Sequence, residues 1–176
     1  MNQITALAES EVKQFVDDWY QKLDLHVPVS EVLSLLIGEN LEMQLPETTL
    51  HGLDEFKTWY DGIIHTFFDE VHTLQTLDIT TTRDRAEVQL VVRWEASRWN
   101  APAPKSEKLA FDAAQRWVVT RSPTTQQPAI VTYIVDSLTP LPGFPNLWYH
   151  FRFWSLGFWI AGFDFCTDVR NIAFLL

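Results

Sequence analysis

Two runs in the second half of the chain constrain its fold more than anything else in the sequence. Ala86, Val88, Leu90, Val92, Trp94 and Ala96 alternate with Glu87, Gln89, Arg93 and Glu95. Leu109, Phe111, Ala113, Gln115, Trp117 and Val119 alternate in the same way. Successive residues of a strand face opposite sides, so period-two patterning of this length is hard to obtain from a helix and predicts two long, half-buried strands. Flanking runs, about Glu70 to Thr80 and Ala129 to Leu138, bring the number of strand-like segments to four. Polar turns divide them at Thr82-Arg83-Asp84, Asn100 to Ser106 and Ser122 to Gln127. The last run is nearly continuous apolar sequence, as in a central strand.

Helical spacing precedes these strands. Val12, Phe15, Val16, Trp19, Tyr20 and Leu23 recur at the intervals of one helix face behind an N-cap at Ser10. A second helix starts near Ser30, is filled by Val32, Leu33, Leu35 and Leu36, and stops at Gly38. Leu41, Met43 and Leu45 then alternate with Glu42 and Gln44 as one short strand before Pro46. A third helix runs from about Leu53 to Phe67, with Phe56, Trp59, Tyr60, Ile63 and Phe67 as its buried stripe. Helices at one end and strands at the other predict an α+β domain, a curved antiparallel sheet wrapped around three N-terminal helices. Such a cone or roll encloses a hollow, where small-molecule function would sit.

Composition narrows the function classes. With 176 residues and 47% hydrophobic content, one packed domain is expected. A formal charge of −10 without any basic stripe excludes a phosphate-backbone partner, so nucleic acid is not expected. The single cysteine, Cys166, allows neither an intrachain disulfide nor a cysteine-rich zinc site. The first residues, Met1-Asn2-Gln3-Ile4-Thr5, lack the basic and apolar regions of a signal peptide, which makes cytoplasmic the default location.

Pro140-Leu141-Pro142-Gly143-Phe144-Pro145 closes the domain, taken as residues 1–143, and composition then changes. Eleven of residues 144–176 are aromatic. The apolar stretch Phe153 to Phe163 falls short of the ~20 residues that span a bilayer. An extra element packed on the domain or at a dimer contact ranks first among its readings. An extension not evolved for this fold ranks second. A membrane-interface anchor ranks last, because Arg152 and Arg170 are offset by Asp164 and Asp168.

The order helix, helix, strand, His51-Gly52-Leu53-Asp54-Glu55-Phe56 helix, then four strands resembles the nuclear transport factor 2-like superfamily. That group includes the SnoaL-like polyketide cyclases and the ketosteroid isomerases. The resemblance covers roughly residues 8–140 and rests on element order, the Gly-led third helix and the Trp117-Val118-Val119 strand. It implies a cone with a pocket at its open end and a homodimer formed through the sheet. In isomerases of this shape a carboxylate takes a proton while a Tyr and a protonated acid stabilise the oxyanion. Carried across, the Tyr falls near Tyr20 (or Trp19), the base at Gln44 or Leu45 and the acid at Gln115. Two of the three positions depart from that pattern, so the isomerase chemistry is not expected.

The resemblance implies a pocket of SnoaL-like type, and the residues expected to line it for an apolar ligand are Trp19, Tyr20, Trp59, Gln115, Trp117 and Tyr133. For aromatics at these spacings, core outweighs pocket by roughly two to one. Asp136 on the last strand is a weak catalytic candidate, against an outward position paired with Arg93 or Arg116. His65, Asp69, Glu70 and His72 straddle a helix–strand junction and read as a solvated turn rather than a metal site. His51 shapes the start of the third helix, and His26 reads as a surface residue. No cofactor is expected. The competing function is a non-catalytic dimeric interaction module, and a hydrolase or dehydratase is a weaker third.

Overall fold

The computed structural model describes residues 6–38, 40–82 and 84–147. The expectations for the aromatic segment beyond Leu147 lie outside the described residues. Elements follow one another as α1 (Glu9–Asp24), α2 (Val29–Leu33), β1 (Glu42–Gln44), β2 (Thr49–His51), α3 (Gly52–Thr66), β3 (Phe67–Thr81), β4 (Arg85–Arg98), β5 (Glu107–Arg121) and β6 (Pro128–Pro140). The strands form a single six-stranded sheet in the order β2-β1-β6-β5-β4-β3. The α+β cone-like architecture is therefore as expected, with one difference. The sheet is mixed, because β1 runs parallel to β6 with Met43 opposite Tyr133.

The helices bury the faces their periodicity marks. Val12, Phe15, Val16, Trp19 and Tyr20 of α1 are buried, as are Phe56 and Tyr60 of α3. The N-cap of α1 is Ala8 rather than Ser10. Glu11 lies 3.5 Å from the Ala8 N–H and is held by Arg121 at 2.7 Å, so a strand side chain fixes the start of the helix. α2 stops at Leu33, well before Gly38, because Leu36 leaves to make a parallel bridge with Ile130. Ile37 donates to the Ile130 carbonyl at 2.9 Å, and Ile130 donates back to Leu35 at 2.9 Å. Tertiary pairing overrides helical spacing there.

The expected single strand after Gly38 is a hairpin, with Leu45 N–H bonded to the Thr48 carbonyl across its turn. α3 begins on Gly52 at φ +74°, a conformation that favours glycine. It passes into β3 without a loop. Register shifts between Phe68 and Val71 and between Leu74 and Thr76 bulge β3 against β4. Asp69, at φ +54°, supplies the first of these. Each extra residue resets the alternation, so Phe67, Glu70, His72, Leu74, Leu77 and Ile79 are the more buried side chains of β3.

Two apolar clusters cover the inner face. The larger joins α1 and α3 to Val88, Leu90, Val92, Trp117, Val119 and Tyr133. The smaller gathers Phe67, Ala96, Leu109, Phe111 and Leu147. Leu147 is 1% exposed, so the packing continues past the boundary expected at Gly143. Among the described residues no helix is long and apolar enough to cross a membrane.

Candidate functional site

Where the two clusters meet they leave a cavity of about 110 Å³, partly open to solvent. Leu45, Val92, Ala113, Val135, Leu138 and Leu147 give it apolar walls. Pro46, Glu47, Trp59, His72, Trp94 and Gln115 complete its lining. A dry cavity of about 150 Å³ accepts benzene, so this one suits a single small ring or a short chain.

His72 comes from β3 and is positioned by α1. Its Nδ1 lies 2.6 Å from Asp24 Oδ1, and its backbone N–H donates to Asp24 Oδ2 at 3.2 Å. Asp24 stands four residues after Tyr20, on the same helix face, which aims its carboxylate at the strand. The Tyr20 ring stacks on the imidazole at 4.9 Å and 23°. An ionised carboxylate only accepts, so Nδ1 carries a proton, and in the neutral ring the lone pair is then on Nε2. Among the described residues no hydrogen bond is made to Nε2. His72 is thus an oriented base at the cavity wall, its side chain 11% exposed.

Gln115 is the central polar group of the interior. Its Oε1 accepts from the Tyr20 hydroxyl and the Trp117 indole, each at 3.0 Å. Burial raises the pKa of the Tyr20 and Tyr133 hydroxyls, so both keep their protons. Trp94 is fixed by donating Nε1–H to Glu70 Oε2 at 2.7 Å, while Glu70 Oε1 meets His26 Nε2 at 2.8 Å.

Glu47 sits in the turn between β1 and β2. Its Oε1 is buried without a hydrogen-bond partner among the described residues, and so is the indole Nε1 of Trp59 on α3. Desolvation pushes the Glu47 carboxyl up to about 7, opposed only by a weaker hydrogen bond from its own backbone. Near neutral pH this group can give or take a proton.

Of the side chains expected at a pocket, Trp59 and Gln115 line the cavity. Trp19, Trp117 and Tyr133 instead form a mutual core stack, with Trp19 centroids 6.1 Å from Trp117 and 5.9 Å from Tyr133. Tyr20 lies behind His72 rather than on the cavity surface. Asp136 is not among the side chains that line this cavity. Strand alternation turns it to the outer face, where Arg116 binds it bidentately at 2.7 Å and lowers its pKa.

The acids and histidines near the α3–β3 junction do not converge. His65 meets the Asp61 carbonyl, Asp69 meets Lys108 and Ser97, and Glu70 and His72 take the separate partners above. No group of three metal-binding side chains occurs among the described residues. His26 is no simple surface residue, since it anchors the connection after α1 to buried Glu70. Sequence pattern does not single out Asp24, His72 or Glu47, and His72 reads there as part of a solvated turn. Helical spacing from Tyr20 was the available signal for Asp24. Nothing local marked Glu47.

No known protein family matches the sequence, and no curated protein does. Solved structures do. A putative scytalone dehydratase from Novosphingobium aromaticivorans superposes with a TM-score of 0.60 at 19% identity, covering 74% of this chain and 83% of its own. A nuclear transport factor 2-like superfamily protein from Salmonella enterica gives 0.60 at 14%, over 73% and 89%. A hexachlorocyclohexane dehydrochlorinase gives 0.62 at 11%, over 78% and 90%. At these identities the likeness is one of fold.

Proposed function

We propose that this chain, which has the nuclear transport factor 2-like fold, is an acid–base enzyme acting on a small, neutral, largely apolar molecule. In this reading His72 removes a proton from carbon. The observation that carries it is the 2.6 Å contact between His72 Nδ1 and Asp24, made by a ring that lines an apolar cavity. Asp24 fixes the tautomer and stabilises the imidazolium that forms. The stacked Tyr20 ring holds the imidazole plane. Apolar walls lower the local dielectric and strengthen both effects. Elimination and isomerisation both begin from such a proton transfer. Solved structures of the same fold include proteins named as a putative dehydratase and a dehydrochlorinase, which supports the assignment.

Proton transfer to solvent can be read without the natural substrate. Cyclohexanone in D2O is a suitable probe, with loss of its α-proton signals followed by NMR. The protein is expected to accelerate the exchange, and His72→Ala to reduce that acceleration by about 10²-fold or more. Asp24→Asn is expected to reduce it as well, by releasing the tautomer. Equal exchange rates for the native protein and His72→Ala would refute the assignment. We also infer a homodimer through the outer face of the sheet, where Val91, Ala114, Val118 and Ile134 remain only half-buried.

A further inference from the structure

Trp94 of β4 stands directly opposite His72 of β3, and both residues line the cavity. Directly opposed residues have Cβ atoms about 4.5–5.5 Å apart, so a ligand that reaches the His72 ring also meets the indole. Each neighbour has its own carboxylate behind it. Asp24 holds His72 Nδ1 at 2.6 Å, and Glu70 accepts the Trp94 indole N–H at 2.7 Å. The Glu70 side chain is 4% exposed, and its second oxygen lies 2.8 Å from His26 Nε2. An ionised carboxylate only accepts, so His26 presents Nε2–H there and both oxygens of Glu70 are committed. His26 follows Asp24 by two residues, and Glu70 precedes His72 by two. Two histidine–carboxylate rungs thus join the end of α1 to the start of β3, one behind His72 and one behind Trp94.

The ring contacts of Trp94 are apolar, edge-on to Phe67 at 5.0 Å and stacked on Phe111 at 5.8 Å. They pack the indole, whereas the charged hydrogen bond to Glu70 gives it a direction. We infer that Glu70 is a positioning residue of this cavity, acting through Trp94: it holds the indole as the wall that sets a ligand in front of His72. The inference rests on the cavity being the site of the proton transfer proposed above. Reacting atoms must come within about 3–3.5 Å of each other, and a misplacement of ~1 Å can cost about 10²-fold. In a cavity of about 110 Å³, a swing of the indole is enough to change that placement.

Three variants test this. Glu70→Met removes both acceptors at similar volume, and Trp94→Phe keeps a ring without the donor. Glu70→Gln keeps an oxygen for the indole, and its amide can donate to His26 Nε2 in the other tautomer. In cyclohexanone exchange measured well below each Tm, Glu70→Met and Trp94→Phe are each expected to lose about tenfold in kcat/KM. Glu70→Gln is expected to recover most of that loss. Because Glu70 acts through Trp94, adding Glu70→Met to Trp94→Phe is expected to cost less than about twofold more. A residue that only supports the fold would add its full loss in either background. Binding apart from reaction is read in a His72→Gln background, on the indole ¹H–¹⁵N resonance that Trp94→Phe removes. Cyclohexanone is expected to move that resonance, and Glu70→Met to weaken the binding by about threefold or more. Native kcat/KM in Glu70→Met or in Trp94→Phe, a loss in Glu70→Gln as large as in Glu70→Met, additive losses in the double variant, or a Trp94 resonance that cyclohexanone leaves in place would each overturn the inference. Absence of exchange in the native protein would remove the proposed reaction alone, and the indole resonance with its dependence on Glu70 would then decide the role of the wall.

Discussion

At the scale of single residues, side chains on the inner face are settled by the pleat, and alternation reads them correctly from sequence. Gln115 and Trp117 point inward and Asp112 outward, where it pairs with Arg93 at 2.9 Å. What alternation does not reveal is which inward residue touches empty space. Trp19, Trp117 and Tyr133 fill their volume with each other, while Trp59 reaches a gap. Glu47 was illegible for a different reason. Turn residues between Pro and Thr are exposed by default, and the cavity it borders has its other walls from elements far along the chain.

That burial has a consequence for stability. A carboxyl whose folded pKa is raised from 4.5 to about 7 contributes stability that is fully present below pH 4.5. The contribution is lost as pH rises through about 7, because the charged form is then held away from water. Glu47→Gln is therefore expected to raise Tm at pH 8 and to leave it nearly unchanged at pH 4.5, measured by thermal denaturation at both values. An identical Tm difference at the two pH values would contradict a desolvated carboxyl.

At the scale of elements, the long strands and the two long helices were legible because their periodicity persists for many residues. α1 was placed within a residue or two at either end, and β4 and β5 within one or two. The short elements were not. α2 lost its second half to the Leu36–Ile130 bridge, and β2, three residues long, carries too little pattern to see. The bulges of β3 also hid a site residue. Counting back by twos from Ile79 gives the wrong parity for His72, and only the extra residue between Leu74 and Thr76 turns its ring inward.

The segment after β6 belongs with these short elements. Leu147 fills the space between Phe67, Ala96, Leu109 and Phe111 and also forms part of the cavity wall. Leu147→Ala is expected to destabilise the protein by about 2–5 kcal/mol, read from urea denaturation. Truncation after Leu147 should retain that packing, whereas truncation after Pro142 should lose it. Equal urea midpoints for the two truncations would show that Leu147 contributes nothing.

At the scale of the whole molecule, the sheet separates two kinds of chemistry. The inner face holds the aromatics, His72 and the cavity. The outer face carries the ion pairs Arg93–Asp112 and Arg116–Asp136 among half-buried aliphatic residues. That second surface is where the homodimer is inferred, with the paired charges setting its register. Light scattering behind size exclusion is expected to give about twice the 20.4 kDa of one chain. A value of one chain at micromolar protein would remove the dimer and leave the cavity untouched. The sheet's mixed topology was not legible at this scale, because a three-residue strand gives no hint of which distant partner it will join.

The parallel junction of β1 with β6 has an implication for biosynthesis. Met43 and Tyr133 stand 90 positions apart, so the hairpin bearing Glu47 leaves the ribosome long before the strand it leans on exists. Until that strand emerges, the nascent domain has His72 and Asp24 but lacks the wall that Val135 and Leu138 supply. The cavity can therefore close only after β6 has been made.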